Sequence, residues 1–265
     1  MAAICDHPTT RGPPGMIQLC GRTDVGRRRH RNEDSILVGD GILAVCDGMG
    51  GHQAGDVASR IAVDTIAGFI SGSGADPDLT WPYGFDPSLS FDANRIRTAI
   101  KLANRAIFTR AAAEDEYAGM GTTVVATLVA ADDARFTYGH VGDSRIYILR
   151  DGRVLQLTRD DSLANSAWAD SEEAGIGAAV MKNVLTKALG VRAEVEFDVA
   201  AHDLRAGDTV LLCSDGLTNM LDDHAILEIV TRYDGHLQKT CDQLVDGANA
   251  RGGRDNISAI LLRYE

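Results

Sequence analysis

An α+β fold, with antiparallel sheets and helices packed outside them, follows from three features of the sequence. Strand-like and helical segments come in blocks rather than in strict β-α alternation. The strands of the middle third are joined by short connections, of which Asp151-Gly152 is the strongest hairpin signal. Three apolar runs, residues 42–46, 210–213 and 257–262, each adjoin an aspartate turn, at Asp47, Asp215 and Asp255. If the third run lies antiparallel to the other two, its start sits beside their ends. The three carboxylates then meet at one edge of one sheet. An aspartate at the mouth of a buried strand is a poor packing choice and a good metal ligand.

The elements follow in order. Residues 17–23 read as a first strand. The stretch from Thr23 to Asp34 is dense in charge, and its basic cluster runs directly into Glu33 and Asp34, which is unusual for a plain solvated face. After the turn Asp47-Gly48-Met49-Gly50-Gly51-His52, residues 54–70 have helical spacing. Ala58, Ala62, Ile66 and Phe69 fall on one face, with Arg60 and Asp64 opposite. Residues 71–88, rich in glycine and proline, read as a surface insertion. Asp92 is placed to cap a second helix with the stripe Ile96, Ile100, Ala103 and Ile107, and the two helices are expected side by side. Residues 122–130, 135–141, 145–150 and 154–157 read as strands, with a turn at Asp132-Asp133. Residues 194–199 alternate strictly, which predicts a strand with one wet face. Helices are expected over residues 226–233 and 236–250, and a last strand from Asn256.

Composition narrows the function. The 265 residues are 45% hydrophobic and 24% charged, an ordinary globular balance. No apolar run approaches the roughly 18 residues of a membrane span. Residues 1–15, with Pro8, Pro13 and Pro14, read as a loose tail without a secretory apolar core. A single domain over residues 16–265 is expected, since no repeat or linker is visible. Five scattered cysteines without CxxC spacing indicate a reducing, cytoplasmic setting, and Cys46 and Cys213 read as small buried hydrophobes. A net charge of −12 argues against nonspecific nucleic-acid binding and against an anionic membrane surface.

The candidate ligands are Glu33, Asp34, Asp47, the Gly48 carbonyl, Asp143, Asp215 and Asp255. An all-oxygen set suits Mg²⁺ or Mn²⁺ rather than Zn²⁺. Carboxylates gathered so closely repel one another unless cations stand between them. Two ions roughly 3.5–4 Å apart form a machine for phosphoester hydrolysis, and Arg29 is placed to grip the phosphate oxygens.

These residues resemble a known family. The pattern Thr23-Asp24-x-Gly26-x-x-Arg29-x-x-Asn32-Glu33-Asp34 is similar to the opening motif of the metal-dependent (type 2C, PPM) serine/threonine protein phosphatases in their bacterial form. So are Asp47-Gly48-Met49-Gly50-Gly51-His52, Gly121-Thr122-Thr123 and Gly142-Asp143-Ser144-Arg145. So too are the stretch from Asn183 to Gly190, the stretch Ser214-Asp215-Gly216-Leu217-Thr218-Asn219, and Gly253-Arg254-Asp255-Asn256-Ile257. They occur in the family's order from about Gln18 onward.

The resemblance implies a four-layer α/β/β/α sandwich of two antiparallel sheets, with a dimetal site at one edge. It implies that Asp47 bridges two Mn²⁺ or Mg²⁺ ions and that Gly48 gives its carbonyl. Asp215 and Asp255 are implied to hold the first ion, with Glu33 and Asp34 acting through waters. Arg29 is implied to bind the substrate phosphate, and Asp143 to serve a weaker third ion. Asp47, Arg29 and Asp34 are the residues to which catalysis is assigned. The implied reaction is direct attack on phosphorus by a cation-activated water, without a cysteine nucleophile. Phosphoproteins, among them a serine/threonine kinase and its substrates, are the implied partners of a monomeric signalling enzyme.

Departures from the pattern are local. Met49 stands where some relatives carry a histidine proposed as general acid, and His52 reads as a residue of the helix start. Asp160-Asp161-Ser162 replaces Asp-His-Ser. Residues 163–183 correspond to the variable flap, here with Asp170, Glu172 and Glu173. Asn219 stands where some relatives supply an aspartate. A catalytically weak, phosphoprotein-binding member is the main alternative. It requires a lost ligand among Asp47, Asp215 and Asp255, and all three are present. A two-metal nuclease is disfavoured by the acidic charge, and a purely structural cation module would not need Arg29.

Overall fold

Two antiparallel sheets lie face to face, with helices on both outer sides. The computed structural model describes residues 16–39, 41–50, 54–74, 80–130, 134–165 and 184–265. The expected tail, His52, the Asp132-Asp133 turn, Asn183 and the flap acids Asp170, Glu172 and Glu173 lie outside the described residues. Among those described, no helix is long and apolar enough to cross a membrane.

The first sheet has the order β1 (Ile17–Asp24), β11 (Ile257–Tyr264), β10 (Thr209–Cys213), β7 (Arg145–Arg150) and β8 (Arg153–Gln156). The second runs β2 (Asp34–Val38), β3 (Ile42–Met49), β5 (Val124–Ala130), β6 (Arg135–Val141) and β9 (Val199–Asp203), with the short β4 (Gly121–Thr122) on the end of β3. Leu43, Val45, Val125 and Phe136 of the second sheet meet Ile146, Ile148, Leu212 and Ile260 of the first in the central core. The alternate residues Ala44, Cys46, Val124 and Ala126 face the helices α1 (Ala54–Ser73) and α2 (Phe91–Ala113). On the far side, Tyr147, Leu211, Cys213 and Leu261 face α4 (Asp223–Arg232) and α5 (Leu237–Ala250). Both faces of β3, β10 and β11 are therefore covered, which is why these strands are written as unbroken apolar runs.

The predicted stripes hold. Ala58, Ala62 and Ile66 of α1 and Ile96, Ile100, Ala103 and Ile107 of α2 are fully buried in one shared core. Each buried isoleucine contributes about 1.5–3 kcal/mol relative to exposure. Cys46 and Cys213 are buried as expected, and burial pushes the Cys213 thiol up to about 12.

Four expectations change. The three aspartates do not share a sheet, because β3 belongs to the second sheet while β10 and β11 pair in the first. Ser90, not Asp92, caps α2: its hydroxyl accepts the Ala93 N–H at 3.1 Å, while Asp92 sits in the first turn and pairs with Arg95. The first helix runs on to Ser73 rather than giving way to a loop at residue 71. Residues 194–198 are not in a strand; pairing with β6 starts only at Val199, opposite Gly139. Their alternation is real: Val195 and Phe197 pack on the core, and Glu194, Glu196 and Asp198 are exposed. What is missing is a partner: pairing stops at Gly139 although β6 runs on to Val141, so residues 194–198 have alternation without a ladder.

Candidate active site

The carboxylates gather where the two sheets share an end. β2 and β3 are antiparallel and put Asp34 directly opposite Asp47. Asp215 opens a short helix, α3 (Asp215–Thr218), immediately after β10, and Asp255 precedes β11. Asp143 lies on the connection by which the chain passes from β6 to β7. Close backbone approach makes this convergence possible. A Cβ on Gly216 would run into the Asn256 carbonyl oxygen, and one on Gly48 into the Gly55 carbonyl oxygen.

A hydrogen-bonded frame holds these turns. Asn256 donates its Nδ2 to the carbonyls of Val25 at 3.0 Å and Arg31 at 2.8 Å, and its Oδ1 accepts the Glu33 N–H at 2.9 Å. One side chain thus ties the charged loop to the start of β11. Thr123 accepts the Asp47 N–H on its hydroxyl at 3.0 Å and donates its own N–H to the Asp47 carbonyl at 2.8 Å. The Thr123 and Ser144 hydroxyls are 2.7 Å apart, linking the Asp47 turn to the Asp143 turn.

Asp34 joins the sheets. Its Oδ2 accepts the hydroxyls of Ser214 at 2.8 Å and Ser258 at 2.7 Å, both in the opposite sheet's strand ends. Its Oδ1 is buried without a partner among the described residues. Ser258 was not singled out in the sequence; the available signal was one hydroxyl at the start of the otherwise apolar run 257–262. Asp56, in the first turn of α1, was also missed. It pairs with Arg31 at 3.7 Å, raises the Glu33 carboxyl and carries another buried oxygen with no partner among the described residues.

The cluster is electrostatically tense. Burial, then the charges of Asp34, Asp215, Asp143 and Asp255, push Asp47 well above the ordinary carboxylate range. Burial pushes Asp34 up to about 7 against the opposing hydrogen bonds of Ser258 and Ser214. Burial and the charge of Asp215 push Asp143 up to about 7. Asp215 is raised by burial and by Asp255, partly offset by hydrogen bonds with Asp47 and Asn219. Glu33 is raised chiefly by burial.

Two candidate ligands are engaged by neighbouring donors. Arg29 Nη2 donates to Asp255 Oδ2 at 2.8 Å, and Asn219 Nδ2 to Asp215 Oδ2 at 3.0 Å. Among the described residues no three acidic, histidine or cysteine side chains close into a finished metal cage. The donor set nevertheless fits hard cations. Every group is an oxygen, one buried oxygen of Asp34 lacks a partner among the described residues, and the charges of Asp34, Asp215, Asp143 and Asp255 all raise Asp47, which positive charge between them would relieve.

Comparison with known proteins gives a consistent result. A family model described as protein phosphatase 2C matches residues 26–261. The serine/threonine phosphatase stp of Listeria monocytogenes is 37% identical over 255 residues, covering 92% of this chain and 94% of that protein. The serine/threonine protein phosphatase PstP of Mycobacterium tuberculosis is 35% identical over 93% of this chain, which spans 45% of that longer protein. The solved catalytic domain of PstP, in complex with two manganese ions, matches with a TM-score of 0.77 at 34% identity, over 93% of this chain and 97% of that one. The S. agalactiae serine/threonine phosphatase matches with a TM-score of 0.80 at 32% identity, over 94% of this chain and 100% of that one.

Proposed function

The chain belongs to the protein phosphatase 2C family and is a metal-dependent serine/threonine protein phosphatase, and we propose that the acidic cluster at the shared sheet end, with Arg29 beside it, is its catalytic centre. The observation that carries this reading is the meeting of Asp34, Asp47, Asp143, Asp215 and Asp255 from both sheets, the other four all raising the Asp47 carboxyl.

Asp47 and the Gly48 carbonyl, with Asp215 and Asp255, hold two Mn²⁺ or Mg²⁺ ions, and Glu33 and Asp34 orient water around them. When bound, these cations supply Lewis acidity that lowers the pKa of water and neutralises charge on the phosphoryl group. Thr123 fixes the Asp47 backbone from both sides, so its carboxylate is presented without a search of conformations. Arg29, released from Asp255, turns its guanidinium to the phosphate oxygens and stabilises the charge of the transferring group. Asp143 serves a weaker third ion.

Residues 16–265 act as one catalytic domain, with residues 163–183 as a flap beside the site and residues 1–15 as a tail. The enzyme is a cytoplasmic, monomeric signalling protein whose substrates are phosphoproteins, including those of a serine/threonine kinase. Hydrolysis of para-nitrophenyl phosphate and of a phosphothreonine peptide, with Mn²⁺ and then with excess chelator, tests the reading. Activity is expected only with the metal; equal turnover in chelator would overturn it.

A further inference from the structure

A second cleft, about 290 Å³ in volume, opens on the segment from Thr186 to Glu196. Its walls include Val191, Arg192, Glu194, Val195 and Glu196. Its rim is held firmly. Asn104, buried in α2, accepts the Gly190 N–H at 2.8 Å and donates to the carbonyls of Arg192 and Ala193, each at 3.1 Å. Leu189 exchanges both backbone hydrogen bonds with Thr122, at 2.8 and 3.1 Å. Such a rim needs no ordering when something binds.

The cleft adjoins the reaction centre. Gly121 of β4 is paired with Met49, two residues beyond Asp47. Met49 Cε and Val191 Cγ2 lie 2.9 and 3.0 Å from where a Cβ on Gly121 would stand, so both side chains close over this glycine. An apolar floor therefore runs from the Asp47 turn to Val191, whose side chain is left 49% exposed.

The charge at the cleft is lopsided. Lys187, also on its wall, is held by Asp161 at 3.1 Å. That leaves Arg192 against Glu194 and Glu196, both glutamates exposed and in no salt bridge among the described residues.

We propose that this cleft is the enzyme's peptide subsite, taking the substrate chain next to the phosphoserine or phosphothreonine. An apolar substrate side chain packs on Val191 and Val195, and a neighbouring lysine or arginine faces Glu194 and Glu196. An extended peptide advances about 3.3–3.6 Å per residue, which places the recognised residues within a few positions of the phosphate. The proposal rests on the phosphatase reading and adds the class of sequence the enzyme prefers.

The test uses two phosphothreonine peptides that differ only in carrying lysine or glutamate beside the phosphoresidue. Their kcat/KM values are measured on the wild type and on the Glu194→Lys, Glu196→Lys double variant, with para-nitrophenyl phosphate alongside. The wild type is expected to favour the lysine peptide by about three- to tenfold, as two partly screened ion pairs allow. The double variant should reverse that order and leave para-nitrophenyl phosphate hydrolysis unchanged. Val191→Asp should weaken both peptides and again spare the small substrate. An unchanged peptide preference in the charge-reversed variant overturns the subsite. Dissociation constants for the same peptides, read by fluorescence anisotropy on chelated protein, judge the cleft without turnover. A charge preference there, together with absent turnover, would uphold the cleft and overturn the phosphatase reading instead.

Discussion

Arg29 Nη2 lies 2.8 Å from Asp255 Oδ2, so the side chain assigned to the substrate phosphate holds a side chain assigned to a metal. The charges of Glu33 and Asp47 reinforce its position. A cation that binds at Asp255 competes with this guanidinium, and a displaced guanidinium is free to meet phosphate.

The first prediction follows from that contact. Arg29 acting only as a phosphate clamp leaves metal binding unaltered when it is removed. Contact with Asp255 instead predicts that Arg29→Ala lowers the Mn²⁺ concentration for half-activation. The pair is partly exposed, and such pairs contribute about 0.2–1 kcal/mol, so the shift should be roughly up to fivefold. KM for phosphopeptides should rise at the same time. A higher Mn²⁺ midpoint would mean that Arg29 helps to assemble the ligands.

Asp47→Asn should abolish turnover by several orders of magnitude, since it removes the one carboxylate assigned to both ions. It should not unfold the protein. Burial and Asp34 already hold the Asp47 carboxyl far above the ordinary range, so a neutral amide of the same shape suits the metal-free fold. The chelated variant should melt at or above the wild-type temperature. A turnover within tenfold of wild type at saturating Mn²⁺ would falsify the assignment.

Chelation should make stability depend on pH in a particular direction. Burial raises Asp34 and Asp143 from the ordinary 3.8 up to about 7. A carboxyl whose pKa is higher in the folded state stabilises the fold while protonated. That contribution is complete below about pH 4 and lost as pH rises through about 7. Asp24, lowered despite its burial by Asn249, Gly26 and Arg22, acts oppositely, but its contribution is lost only in acid below that window. The Tm of chelated protein should therefore fall from about pH 5 to about pH 8. Mn²⁺, which competes with these protons, should raise Tm more at the higher pH. A gain independent of pH would count against these two carboxylates as the competing groups.

Asp143→Ala should remove a weak, millimolar cation site and lower turnover without emptying the two-ion core. Asn219→Asp should strengthen that weak site, because it replaces a neutral amide next to Asp215 with a charge. Calorimetric titration with Mn²⁺ decides both. Loss of a tight site in Asp143→Ala would place Asp143 in the core.

Much of this molecule is legible without coordinates. Unbroken apolar runs marked β3, β10 and β11, helical stripes marked α1 and α2, and the ordered motifs named every acidic residue of the cluster except Asp56. These signals are local: a strand's apolar period and a turn's glycines depend on neighbours a few residues away. Tertiary structure alone decided which sheet each strand joins. It put Asp47 and Asp215 in different sheets and made Asp34 the link between them, through Ser214 and Ser258, 180 and 224 residues distant. It placed Arg29 on Asp255, 226 residues away, and left residues 194–198 unpaired despite a strand's alternation. Alternation records only which face is wet; a strand also needs a hydrogen-bonded partner, and the ladder with β6 begins only at Val199.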